Sequence, residues 1–178
     1  STTFSLFRLN RTNVRDTDPA TNQLATIGTR RTDGFEWSLS GELAPGLRAI
    51  MGYAFLDAKV TRSPSRNDGQ PVQGKRSTLT PRHAANFWIT KDLNGGFGVG
   101  AGANLVASRY ANAGNTVRLP GYVTADAAAW WRQGPWGVQL NVYNITDARY
   151  IVSSHGANGN MNLPGAPRNV MLKLSYRM

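Results

Sequence analysis

Three places in the sequence hold residue types at spacings that could do chemistry. Asp147, Ser154 and His155 supply a carboxylate, a hydroxyl and an imidazole within one short stretch, the parts of a hydrolytic set. Nucleophilic catalysis needs them ordered in space as nucleophile, base and orienting acid. Nothing in the sequence orders them, and their surroundings are Gly-rich, so a barrel protease or acyltransferase is not the reading they support. Gly96 to Gly102 reads GFGVGAG. A phosphate cradle needs G-x-G-x-x-G opening a helix; here glycine recurs at every second residue with no helical pattern after it. That spacing predicts a strand face kept bare for packing. Asn144-Ile145-Thr146 matches a glycosylation sequon but falls in a predicted strand and is discounted.

Metal chemistry has little to work with. The chain has no cysteine and two histidines, His83 and His155, far apart and each without a second ligand at a metal-binding spacing, so no metal site and no resident cofactor are expected. The formal charge of +10, from 20 Lys and Arg against 10 Asp and Glu, points to an anionic partner: nucleic acid, anionic lipid or an anionic small molecule.

The elements that must position these residues are strands. Mean hydropathy is −0.37, and no apolar run approaches the roughly 18 residues of a transmembrane helix. A membrane reading must therefore be a β-barrel, whose alternating strands escape hydropathy averages. No basic region followed by an apolar core opens the chain, which leads us to expect a removed signal peptide or a piece of something longer. Trp136, Val138, Leu140 and Val142, and again Val170, Leu172, Leu174, Tyr176 and Met178, put an apolar side chain at every second residue. Phe35 to Leu43, Leu47 to Phe55, Ala85 to Ile89, Phe97 to Leu105 and Val123 to Trp131 do the same, while Thr3 to Val14 is extended without a clear facing. Trp88 stands on the polar face of its strand as a local exception.

About eight antiparallel strands result, joined alternately by tight turns near residues 45, 94 and 134 and longer connections near 18, 70, 114 and 158. Short turns at one end and long loops at the other predict a transmembrane barrel wall with strands of roughly 9 to 11 residues. Thirteen of the 20 basic residues fall in or beside the long loops. Trp37, Tyr53, Phe55, Phe87, Trp131, Trp136 and Tyr176 are expected near strand ends as interfacial girdles.

Several segments carry a family likeness. Tyr143-Asn144-Ile145-Thr146-Asp147-Ala148-Arg149-Tyr150 resembles the N-[LIV]-[FT]-[DN]-x-x-Y element of the penultimate barrel strand of TonB-dependent siderophore receptors. Pro167-Arg168-Asn169-Val170 with Leu174-Ser175-Tyr176-Arg177-Met178 is similar to their final strand. Arg30 to Glu36 looks like their RSRGxE element, Leu43 to Leu47 with Gly52 to Ala58 like the strand pair after it, and Thr80-Pro81-Arg82-His83 like the TPRH that re-enters the barrel. The order matches across nearly the whole chain.

The resemblance implies the C-terminal part, residues 1–178, of an outer-membrane barrel of about 22 strands. It also implies TonB-dependent uptake of a ferric siderophore in a Gram-negative bacterium, with the plug and the TonB contact outside these residues. Other implied partners are outer-membrane lipid and lipopolysaccharide, and the barrel assembly machinery reading Tyr176 and Met178, although Met178 stands where the family usually has an aromatic. For ligand capture, aromatic and basic residues near the loops are the candidates: Tyr110, Arg118, Tyr122, Tyr150 and His155. Two rivals remain at this stage. One is a self-closed eight-stranded outer-membrane barrel, in which the first and last strands pair; the other is a soluble basic β-domain that binds nucleic acid.

Overall fold

The computed structural model describes residues 1–18, 20–154 and 161–177. Eight long strands form one antiparallel sheet in chain order: β1 (Thr2–Thr17), β2 (Leu24–Ala44), β3 (Leu47–Arg62), β6 (His83–Asp92), β7 (Phe97–Val106), β10 (Tyr122–Gln133), β11 (Trp136–Tyr143) and β14 (Asn169–Tyr176). Three two-stranded ribbons stand in the long loops: β4 (Arg66–Asn67) with β5 (Gln70–Pro71), β8 (Arg109–Tyr110) with β9 (Arg118–Leu119), and β12 (Ile151–Ser154) with β13 (Asn162–Pro164). Tight turns join the long strands at the other end. Gly46, Gly95, Gly96 and Gly134 supply the positive φ values those turns need.

The sheet is open. Among the described residues β1 and β14 are its two edges and do not pair, so the self-closed small barrel is not formed.

The first three strands are longer than a membrane span requires, with β2 continuous over 21 residues. Arg31-Thr32-Asp33-Gly34 reads locally like a turn, yet each of these residues pairs with β1 on one side and β3 on the other. Ladder hydrogen bonds from two neighbours override the local preference. Conversely, β11 stops at Tyr143. Asn144 has φ 50° and begins the loop, so the sequon lies just outside the strand in which it was expected.

Burial runs opposite to that of a water-soluble sheet. On β10, β11 and β14 the apolar residues are the exposed ones: Val123 at 52%, Leu140 at 42% and Leu172 at 62%. The polar Thr124 and Asn141 on the other face are only 6% and 7% exposed. A continuous apolar face of this kind is suited to a non-aqueous phase.

The opposite face is built on bare glycines. Gly98, Gly100 and Gly102 of β7 are buried, and indoles from both neighbouring strands lie over them. A Cβ at Gly98 would fall 2.2 Å from Trp130 Cε2, and one at Gly102 would fall 2.5 Å from Trp88 Cε3. Trp88 is thus no exception; it fills the space the glycines leave. Phe7 does the same on β1, where a Cβ on Gly34 would be 2.7 Å from Phe7 Cζ. This settles the facing of β1, with Phe7 on the glycine face and Phe4 and Leu6 on the apolar one.

Candidate functional site

The apolar face is bounded by aromatics. Toward the long loops, Phe4, Phe35 and Tyr53 follow one another at ring-centroid distances of 5.3 Å, and Phe55 lies 5.3 Å from His83. Tyr53 Oη is 2.7 Å from His83 Nδ1. Toward the tight turns, Trp136 meets Tyr176 edge-on at 4.8 Å and Phe97 lies 6.4 Å from Trp131. Phe87 departs from the girdle expectation: it is mid-strand, opposite Met51 and Ala103.

Directly above the upper aromatics the same face turns ionic. Asp33 takes Arg8 at 2.5 Å and Arg31 at 3.2 Å, and Asp57 takes Lys59 at 2.7 Å and Arg82 at 3.2 Å. The change from aromatic to charged side chains marks where an apolar phase ends.

Beyond this level the loops are tied into one another. Asn112 is 3% exposed; its Nδ2 lies 2.6 Å from both Asp68 Oδ2 and Thr116 Oγ1, while its Oδ1 accepts from the Thr116 and Val117 amides. Arg76 N donates to Asn115 Oδ1 at 2.8 Å. The β3–β6 and β7–β10 connections thereby become one polar lattice.

Among the residues singled out from the sequence, Tyr122 and Tyr150 come together with ring centroids 4.3 Å apart. Tyr110 stands opposite Arg118 in the β8–β9 ribbon, and Arg118 donates to Ser108 Oγ at 2.6 Å. His155 lies outside the described residues. Sequence reading missed Arg109 as a member of this group. It is 3% exposed, donates to the carbonyls of Ile151 and Val152 at 2.8 and 2.6 Å, and lies 5.7 Å from the Tyr122 ring centroid. One guanidinium nitrogen, Nη1, is buried without a partner among the described residues. Alternation could not reveal Arg109, because the ribbon that carries it has only two residues per strand.

A second feature lies at the rim by β1 to β3. A cleft of ≈ 610 Å³ is lined by Arg15, Arg30, Arg62 and Arg66 with one carboxylate, Asp16. Asp16 lies beyond the ionic level of its strand. Burial there raises its pKa, but the hydroxyls of Ser63 and Ser65, the Thr17 amide and nearby Arg30 outweigh burial and hold the carboxyl below its ordinary range. Its charge is therefore kept, and its Oδ1 accepts from Ser65 and from the Thr17 amide. Asp147, the acid of the imagined hydrolytic set, accepts from the Arg168 amide at 3.0 Å. No group of three metal-ligating side chains is found among the described residues.

An open antiparallel sheet with an apolar exposed face, aromatic borders and loops crowded at one end is the wall of an outer-membrane barrel. The chain belongs to the TonB-dependent receptors: residues 1–145 match the family model described as "TonB dependent receptor-like, beta-barrel". It is 30% identical over 183 residues to the probable TonB-dependent siderophore receptor PiuA of Acinetobacter baumannii, covering 98% of this chain and 24% of that protein. The catecholate siderophore receptor Fiu of Escherichia coli K12 is 32% identical over 178 residues, covering 96% of this chain and 22% of Fiu. The crystal structure of PiuA superposes with a TM-score of 0.88 at 28% identity, over 98% of this chain and 26% of PiuA. The chain thus spans about a quarter of the length of these relatives. Membership places it in the outer membrane, in a receptor family and not an enzyme class, and removes the nucleic-acid reading.

Proposed function

We propose that residues 1–178 are the C-terminal part of the barrel of a TonB-dependent receptor of about 22 strands that takes up a ferric siderophore. The observation that carries this reading is the superposition on the PiuA barrel over 98% of the chain. The transported ferric chelate is cargo, not a resident cofactor. In this reading the plug and the TonB contact lie outside these residues, and further strands cover the free edges of β1 and β14. Lipid meets the apolar face, and lipopolysaccharide phosphates meet the ionic level of Arg8, Arg31, Lys59 and Arg82. The glycine face looks into the lumen, where Tyr110, Arg118, Tyr122 and Tyr150 are offered as ligand contacts from the loop end, with His155 as a further candidate. The assembly machinery reads the terminal strand through Tyr176, which is 57% exposed, and through Met178, which lies outside the described residues.

The test is uptake of radiolabelled iron by iron-starved cells with and without the gene. Loss of uptake of a ferric siderophore, and equal loss when TonB is removed, is expected; unchanged uptake of every ferric siderophore tried would contradict the reading. Deleting Tyr176 to Met178 should reduce insertion into the outer membrane.

A further inference from the structure

The β12–β13 ribbon is tied at its base. Asn144 Nδ2 donates to the carbonyls of Ala148 and Ala166, one before the ribbon and one after it, and the Gly165 amide donates to the Tyr150 carbonyl at 2.8 Å. Tyr150 thus stands where the ribbon begins, its ring close against the returning backbone: a Cβ on Gly165 would fall 2.1 Å from Tyr150 Cζ. Above this point the ladder is irregular. Ile151 pairs with Pro164 and Ser153 with Leu163, which leaves Val152 as an extra residue between them. Successive carbonyls of a regular strand point to opposite edges, and a bulge breaks that alternation. Here the consecutive carbonyls of Ile151 and Val152 both accept from a single nitrogen, Arg109 Nη2, at 2.8 and 2.6 Å.

The donor for those two acceptors comes from a different connection, since Arg109 belongs to the β8–β9 ribbon between β7 and β10. Its guanidinium also lies 5.7 Å from the Tyr122 ring centroid, and the Tyr122 and Tyr150 rings are 4.3 Å apart. One cation therefore holds the ring of one tyrosine and the backbone directly after the other. A charge at 3% exposure is costly unless its donors are used. Arg109 has no ion pair among the described residues, so the two carbonyls and the ring face supply what a carboxylate would.

We propose that Arg109 is a positioning residue: by filling the outward acceptors of the β12 bulge it holds Tyr150 against Tyr122 and locks the β11–β14 connection to the β7–β10 connection. At 3% exposure it does not itself touch cargo. The inference rests on the uptake reading for the use of the tyrosine pair, and it adds the residue that sets the geometry of that pair. A pair held in one arrangement keeps the binding-competent fraction high; released, it lowers the apparent affinity in proportion to the fraction lost.

The test uses the intact receptor that contains this segment, with spin labels on cysteines placed at Val123 of β10 and Leu163 of β13, which are 52% and 59% exposed. The distance between them is read by double electron–electron resonance in bilayers. Uptake of radiolabelled ferric siderophore is measured in cells carrying the same variants without labels. The parent should give one narrow distance. Arg109→Met, similar in length but without a donor, should broaden it and raise the half-saturating concentration of uptake about tenfold, with the maximal rate unchanged. Arg109→Lys keeps a charge and donors and should recover part of both effects. Assembly is followed separately as heat-resistant folding on a semi-native gel, where all variants should match the parent. If Arg109→Met fails there, the shorter, uncharged Arg109→Gln takes its place; failure of both neutral variants to assemble would make Arg109 a folding residue and overturn the proposal. An unchanged distance in the neutral variant would overturn it too, as would a broadened distance with an unaltered half-saturating concentration. A parent that takes up no ferric siderophore, while the distance is broadened by Arg109→Met and narrowed again by Arg109→Lys, would keep the clamp and count against the uptake reading.

Discussion

The apolar and glycine faces of this sheet are the same eight strands seen from two sides, and they obey opposite rules. One exposes valine, leucine and aromatics, and pairs the four cations of its upper border with two shared carboxylates. The other buries threonine, asparagine and glycine, packs indoles over bare backbone, and gives its rim arginines no close ion pair among the described residues. A lipid-facing surface tolerates no uncompensated charge near hydrocarbon, whereas a water-filled lumen tolerates it and a ligand can use it.

The largest effect that would sharpen this contrast is at β7. Gly98→Leu places a Cβ within 2.2 Å of Trp130 Cε2, more than overpacked cores normally absorb. No heat-resistant folded barrel is expected on a semi-native gel, while Val99→Leu, one residue away on the exposed face, should assemble normally. If both assemble, the glycine face is not packed as described. Next, Leu140→Arg should cost about 2–4 kcal/mol in urea unfolding from lipid vesicles, and Gln139→Arg on the lumen side less than about 1. Equal costs would erase the distinction between the faces.

Asn144 belongs to neither face and sets the scale for a loop anchor. It is 3% exposed; its amide donates toward the Ala148 and Ala166 carbonyls at 3.0 and 3.1 Å, and its Oδ1 accepts from the Ala148 amide at 2.9 Å. Asn144→Ala leaves those buried groups unpaired, and about 2 kcal/mol of destabilisation is expected, measured in the same unfolding assay. The smallest effect is Asp33→Asn. Its side chain and that of Arg8 are 31% and 63% exposed, so solvent screens the pair and the smallest change of the series is expected in the same unfolding assay. The border ion pairs serve to balance charge and add little to stability.

Much of the fold was legible because a barrel strand announces itself twice, by period-two alternation and by a turn at each end. Phe35 to Leu43 and Trp136 to Val142 had both signals. The full length of β2 was hidden because Arg31 to Gly34 is locally polar and turn-like, and only pairing on both sides makes it strand. The role of Trp88 was hidden for a related reason: its partners, Gly100 and Gly102, lie on a neighbouring strand. The candidate site was less legible. Tyr122 and Tyr150 could be nominated by type and place, but Arg109 and the four cleft arginines are gathered from separate loops and strand ends, and no spacing in one segment encodes that.

The most direct test of the account asks which face meets lipid. The chain contains no cysteine, so a single spin label can be placed at Leu140 or at Gln139, adjacent on β11, in the receptor reconstituted in bilayers. The account predicts that the label at 140 is relaxed by oxygen dissolved in the hydrocarbon, and the label at 139 by a water-soluble nickel chelate. The reverse pattern, or equal relaxation of both labels by the chelate, would contradict it.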